Sequence, residues 1–171
     1  MKQRGMSLLE LLVTLALGAI LLVVGTIVSV PWLAREAMRG SLHEASILLQ
    51  TARIEAVARN HPCSFRIDLN TRTMSVVDMN DTSTTLDDVI LRTRRLPAPV
   101  AVAHPGMGSP VTFENVGGGV YRVVFDPDGY VASGAGELVM FGGEHYGKVL
   151  VYSAGGIRHQ RWTGSAWTTD S

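Results

Sequence analysis

One carboxylate sits where carboxylates are seldom found. In MKQRGMSLLELLVTLALGAILLVVGTIVSVPW, Glu10 opens a stretch in which no residue from Leu11 to Leu33 is charged. A carboxylate inside a bilayer costs about 2.5–3.5 kcal/mol near the centre and less near an edge, so such a group usually has a partner or a task. No basic residue lies one helical turn beyond it. Arg4 precedes it by six residues, too far for a same-face pair on a helix. The chemistry open to Glu10 is therefore electrostatic: it can neutralise a cation supplied from outside this segment.

Other residues with chemical potential are dispersed. His43, His61, His104, His145 and His159 form no H-E-x-x-H pattern, and Cys63 is the single cysteine, which excludes an intrachain disulfide and a multi-cysteine zinc site. The glycines of NVGGG lack the Lys-Ser/Thr of a phosphate loop and read as a tight turn. Asp126–Gly129 (DPDG) lacks the further acids of a calcium loop and reads as a β-turn with proline second. No metal, cofactor or catalytic residue is assigned, and no enzymatic activity is expected. Near the C-terminus, IRHQRWTGSAW interleaves Arg158, Arg161, Trp162 and Trp167. Such spacing can serve phosphate contacts and base stacking on DNA, but an edge strand whose tryptophans pack on a domain accounts for it more simply.

The positioning elements follow from periodicity. At about 1.5 Å per residue the uncharged run spans roughly 35 Å as a helix, enough for a bilayer core of about 30 Å. Lys2 and Arg4 before it favour a cytoplasmic N-terminus. The run is too long for a cleaved secretory signal, and no A-x-A site closes it. Pro31 is placed to kink the helix. Beyond it, Met38, Leu42, Ala45, Leu49, Ala52 and Ala56 recur at helical spacing, a stripe whose small alanines suit close packing on a sheet. Glu55 can pair with Arg59, the remaining charges form a solvated face, and Pro62 ends the helix. From Ser64 onward short strands replace it: SFRIDL and RTMSVV as a hairpin, then VILRTRRL, VTFENV, VYRVVF, ELVMFG, KVLVYS and GIRHQRW. DMNDTSTTLDD reads as a loop, PAPVAVAHPGMGSP as an irregular connection and TGSAWTTDS as a tail. The expected fold class is α+β: a long N-terminal helix packed on a mostly antiparallel sheet domain. A formal net charge of zero over 171 residues gives no overall case for a nucleic-acid or anionic partner.

The residues RG-MSLLE-LLVTLALGAILL resemble the leader and N-terminal helix of type IV prepilins. LLQTARIEAVARNHPCSFRID, VVFDPDGYVASGAGELVMF and KVLVYSAGGIRH resemble the H-type minor pseudopilins of type II secretion and their FimT-like pilus relatives. The resemblance implies cleavage between Gly5 and Met6 by prepilin peptidase and N-methylation of Met6. It implies that Glu10 serves subunit assembly by pairing with the terminal amine of a neighbouring subunit. The implied segments are a leader at 1–5, a transmembrane assembly helix at 6–33, an amphipathic continuation at 34–61 and a periplasmic β-rich domain at 62–171. The implied protein is a single-pass inner-membrane pseudopilin that acts in filament assembly and protein export. Its partners would be other pilins and pseudopilins, prepilin peptidase and inner-membrane lipid. The alternative is a minor type IV pilin, some of which bind DNA, with Arg158, Arg161 and Trp162 as contacts.

Overall fold

The computed structural model describes residues 8–80 and 87–169, without the side chains at 24 and 26–28. One helix, α1 (Leu8–Arg59), runs for 52 residues and continues through Pro31. Hydroxyls along it bond back to the preceding turn: Thr14 donates to the Leu11 carbonyl at 2.9 Å, Ser29 to Gly25 at 2.7 Å and Ser41 to Ala37 at 2.8 Å. Such back-bonding satisfies a polar side chain within the helix itself. The helix stops earlier than Pro62 alone would dictate. Asn60 adopts φ 55°, the left-handed residue that closes many helices, and Pro62 follows two positions later.

Eleven strands follow: β1 (Cys63–Asp68), β2 (Thr73–Asp78), β3 (Val89–Arg95), β4 (Ala101–Val102), β5 (Glu114–Gly117), β6 (Val120–Phe125), β7 (Val131–Ser133), β8 (Gly136–Gly142), β9 (His145–Val151), β10 (Ile157–Trp162) and β11 (Trp167–Thr169). They form two antiparallel sheets. The first is ordered β3-β2-β1-β6-β5, with β7 also on β6, and the second β11-β10-β9-β8-β4. Both lie on the second half of α1, which touches β1, β2 and β6 of one and β8, β9 and β10 of the other.

The stripe expected from spacing is the seam of this packing. Met38, Leu42, Ala45, Leu49, Ala52 and Ala56 are all buried, joined by Leu48. They meet Phe65, Ile67, Val76 and Val123 from the first sheet and Leu138, Met140, Val149 and Val151 from the second. Three alanines on one face let strand backbones approach the helix. Near the start of the packed half, the turn joining β8 to β9 also comes close to the helix at Gly143, where φ is 56° and a Cβ would collide with the Pro31 carbonyl oxygen. Only glycine serves there without strain.

Three expectations need correction. TGSAWTTDS is not a tail: Thr163 N–H bonds the Ala166 carbonyl at 3.0 Å, and β11 returns to pair with β10, so GIRHQRW is not the last strand. The proline-rich connection contributes β4, which pairs with β8. VTFENV is a strand only at its end, in β5, and Val111 makes an isolated bridge to Leu138. The β1–β2 hairpin formed as read. In DPDG, the Gly129 N–H bonds the Asp126 carbonyl at 2.8 Å across a β-turn, also as read.

Candidate functional site

The residues that could act on other molecules lie along α1 and in the seam between α1 and β10. From Leu8 to Leu33 the described side chains of α1 are exposed, Leu8 by 80% and Leu21 by 71%. An apolar surface this long requires lipid or protein against it. Glu10 stands in the first turn, exposed, with no ion pair among the described residues. Gly5 and Met6 lie outside the described residues. Counted over the described residues, no helix is long and apolar enough to cross a membrane. The uncharged run in the sequence continues through positions 24 and 26–28, whose side chains fall outside that count.

Past Pro31 the helix turns one flank toward β10. At the middle of the seam, Ser46 Oγ and His159 Nε2 lie 2.6 Å apart in a hydrogen bond that spans 113 positions of sequence. At the far end, Arg53 donates from Nε to the Gly129 carbonyl at 2.9 Å and from Nη1 to the Gly155 carbonyl at 3.1 Å. Those carbonyls belong to turns in different sheets, β6–β7 and β9–β10. Gly155, at φ 78°, sits so close to the Gly129 carbonyl that a Cβ there would overlap it. The sequence reading placed Arg53 on a solvated face. Its role as a clamp has no local signal, because both acceptors are main-chain atoms far along the chain.

The Ser46–His159 bond separates two clefts in this seam. The distal one, about 490 Å³, is apolar, lined by Ile54, Val57, Ala58 and Ile157 beside Arg53. The one nearer the apolar half, about 470 Å³, is polar: Met38 and Leu42 floor it, and Arg39, Tyr146, Gln160 and Arg161 border it.

The basic and aromatic residues of the C-terminus do not converge. Strand alternation puts Ile157, His159 and Arg161 on the side of α1, and Arg158 and Trp162 on the other. Arg158 lies over the Tyr152 ring at 6.0 Å, whereas Arg161 borders the polar cleft with Met38 and Leu42. Trp162 packs on Trp167 with centroids 5.3 Å apart. Trp167 in turn receives Lys148 Nζ at 4.4 Å from its ring, and Lys148 is paired with Glu137 at 2.7 Å. The tryptophans thus anchor β11 to the sheet. The missed signal was local: Thr163–Ala166 is a four-residue turn with Gly164 at φ 100°, flanked by two tryptophans.

The remaining candidate chemistry is dispersed in space as in sequence. His43 and His61 are exposed, and His104 Nδ1 accepts from the Gly106 N–H at 3.1 Å. Among the described residues no group of histidine, cysteine and acid side chains could hold a metal. Cys63 is fully buried, and burial, then the nearby Asp78 carboxylate, push its thiol up to about 11. A thiol so raised is inert at neutral pH. Asp78 also receives Arg59 Nη1 at 3.2 Å, while Arg59 Nε holds Glu55 at 2.7 Å, the helix pair expected from spacing.

Comparison with known proteins gives a consistent picture. The family model described as type II transport protein GspH matches residues 44–156, and the prokaryotic N-terminal methylation motif matches residues 1–26. Among solved structures, the type IV minor pilin FimU of Pseudomonas aeruginosa PAO1 is similar at 15% identity and a TM-score of 0.53, over 78% of this chain and 94% of that one. The minor pseudopilin EpsH from the type 2 secretion system of Vibrio cholerae aligns at 15% identity over 74% of this chain and 94% of that one, at a TM-score of 0.44 too low to inform the fold. The likeness to FimU is one of fold alone. No curated protein matches the sequence.

Proposed function

The chain belongs to the GspH family of type II transport proteins and is a minor pseudopilin, and from that premise we propose how its parts serve a secretion filament. The methylation motif makes it a prepilin-type, membrane-anchored chain. In our reading, residues 1–5 are a leader removed by prepilin peptidase between Gly5 and Met6, and Met6 is then N-methylated. Residues 6–33 cross the inner membrane once, and the domain from 62 onward, carried on 34–61, faces the periplasm. A separate ATPase motor would supply the work of extraction. On leaving the bilayer the exposed half of α1 packs among the same segments of other pseudopilins. Glu10 then meets the terminal amine of a neighbour, since opposite charges in a low-dielectric bundle attract strongly while each alone is costly.

The observation that carries this reading is the division of one continuous helix. Its second half is consumed by the domain core, and its first half is apolar, exposed and marked by one acid. Mass spectrometry of the N-terminus in cells with active prepilin peptidase tests the processing: the expected species begins at methylated Met6, and an intact Met1 defeats the reading. Glu10→Gln tests assembly: the variant is expected to fold and insert but to be lost from the filament, and undiminished incorporation would remove Glu10 from the account.

The DNA-binding alternative draws no support from the arrangement of β10, which puts Arg158 and Arg161 on opposite faces and Trp162 in a packed pair.

A further inference from the structure

One sheet margin differs from the rest. The outer strands β4, β5, β7 and β11 have four residues or fewer, a length that leaves few main-chain groups open to another chain. β3 has seven; it pairs with β2 on one side, and among the described residues no strand pairs with the other. The Leu96 N–H bonds the Arg72 carbonyl at 2.8 Å, which carries the β2–β3 ladder one residue further. Antiparallel pairing alternates along a strand, so Arg94 and Arg92 turn their main-chain groups to β2, while Thr93 and Arg95 turn theirs outward. The Thr93 carbonyl is met by Arg94 Nη1 at 3.3 Å, a long contact on an exposed side chain.

Charge decides what can be added there. Arg92, Arg94 and Arg95 are exposed; Arg94 is held by Glu44 of α1 at 2.7 Å, whereas among the described residues no acid pairs with Arg92 or Arg95. Past the strand an open cleft of about 410 Å³ is bordered by Arg72, Arg95, Leu96, Pro97 and Ala98. Arg72 is fixed by donating from Nη2 to the Pro97 carbonyl at 2.8 Å, a contact that leaves its charge unneutralised. A carboxylate in that cleft meets two guanidiniums. At the other end Val89 and Ile90, 50% and 65% exposed, offer apolar contact. A second copy adding through its own β3 would bring arginines against arginines, and like charges directly opposite destabilise a strand pair. A strand carrying acids gains from the same geometry.

We propose that the outer edge of β3 is a docking site for an extended, acidic segment of another polypeptide, which adds to the first sheet as a further strand. Main-chain bonds to Thr93 and Arg95 supply affinity, and Arg92, Arg95 and Arg72 select acids. The site stands apart from the apolar half of α1, so it holds or fails independently of the processing and insertion described above.

The test titrates full-length protein in nonionic micelles with a labelled peptide of about eight residues, alternating glutamate and threonine, long enough to lie along β3. At low salt the wild type is expected to bind it and to ignore the same peptide with lysine in place of glutamate. R92A/R95A should weaken binding about tenfold, the scale of two exposed ion pairs. Both residues are exposed, so the fold should survive, and an unchanged melting temperature checks this. Thr93→Pro deletes one outward N–H and leaves the β2 ladder whole, since proline is tolerated on an outer edge; it should weaken binding about fivefold. Amide exchange supplies a readout that charge alone would not move. On binding, the Thr93 and Arg95 amides should slow, while that of Arg94, already turned to β2, should not. The edge is no such site if the wild type binds neither peptide, if the lysine peptide binds as well, or if R92A/R95A binds as the wild type does. Binding of the acidic peptide without slower exchange at Thr93 and Arg95 would also overturn strand addition. Tighter binding of a short oligothymidine than of the acidic peptide would assign the arginines to nucleic acid instead. Dimerisation of the wild type that Thr93→Pro abolishes would assign the edge to a second copy, and either result overturns the proposal.

Discussion

The two halves of α1 share a backbone and differ in everything their side chains meet. Between Met38 and Ala56 the stripe of Met38, Leu42, Ala45, Leu48, Leu49, Ala52 and Ala56 is buried against two sheets, whereas the described leucines and valines from Leu8 to Leu33 are exposed. Composition and burial both distinguish them: no residue from Leu11 to Leu33 is charged, whereas the second half interleaves arginines and acids with apolar residues and turns most of the latter to one face. An apolar stripe commits a helix to one side of its own domain. An apolar cylinder commits it to a surrounding medium, whether lipid or a bundle of like helices.

That comparison can be sharpened by truncation in each half. Leu49→Ala removes a fully buried side chain and should destabilise the domain by about 2–5 kcal/mol, read by chemical denaturation in detergent. A smaller loss is expected for Arg53→Ala, about 1 kcal/mol, because its two carbonyl partners return to solvent when the clamp is gone. Its signature would be faster hydrogen exchange at both turns, and acceleration at only one would show that the clamp is one-sided. A weaker effect again comes from pH. Hydrogen bonds from Arg122, then Ser133, hold the Glu114 carboxyl below its ordinary 4.5. A carboxyl depressed in the folded state adds stability above its unfolded value and loses it as pH falls through the folded one. Stability should therefore decline below about pH 4.5 and do so less steeply in Glu114→Gln. The effect is small, since the side chain is 35% exposed. Smallest of all, Leu15→Ala should change domain stability by no more than about 0.5 kcal/mol, because nothing in the domain covers it. A loss comparable to that of Leu49→Ala would break the comparison.

The sequence disclosed what is local. The helical stripe could be read because burial repeats with the period of the helix, and all six of its residues are in the core. The Glu55–Arg59 pair was visible for the same reason. The seam was not visible, because Ser46 and His159 are brought together only by the register of β10 on β9 and of β9 on β8. The end of the helix was assigned to Pro62 when the left-handed Asn60 closes it. Asparagine adopts that conformation several-fold more often than most residues, but only a few per cent of non-glycine residues do so at all, and the signal is faint beside a proline. Arginines gave the least away. Arg53, Arg39 and Arg161 look alike in a string of letters, and their different surroundings depend on which turns and strands arrive beside the helix.

The clamp at Arg53 has a mechanical meaning. On the proposed reading the subunit is drawn into its filament by its stem, and tension along α1 would reach the domain through whatever is fastened to the helix. A single guanidinium tied to one turn in each sheet divides that load between them. The buried stripe already binds both sheets to the helix, and the clamp adds a polar tie to each, so the stem is fastened to the domain through both sheets at once.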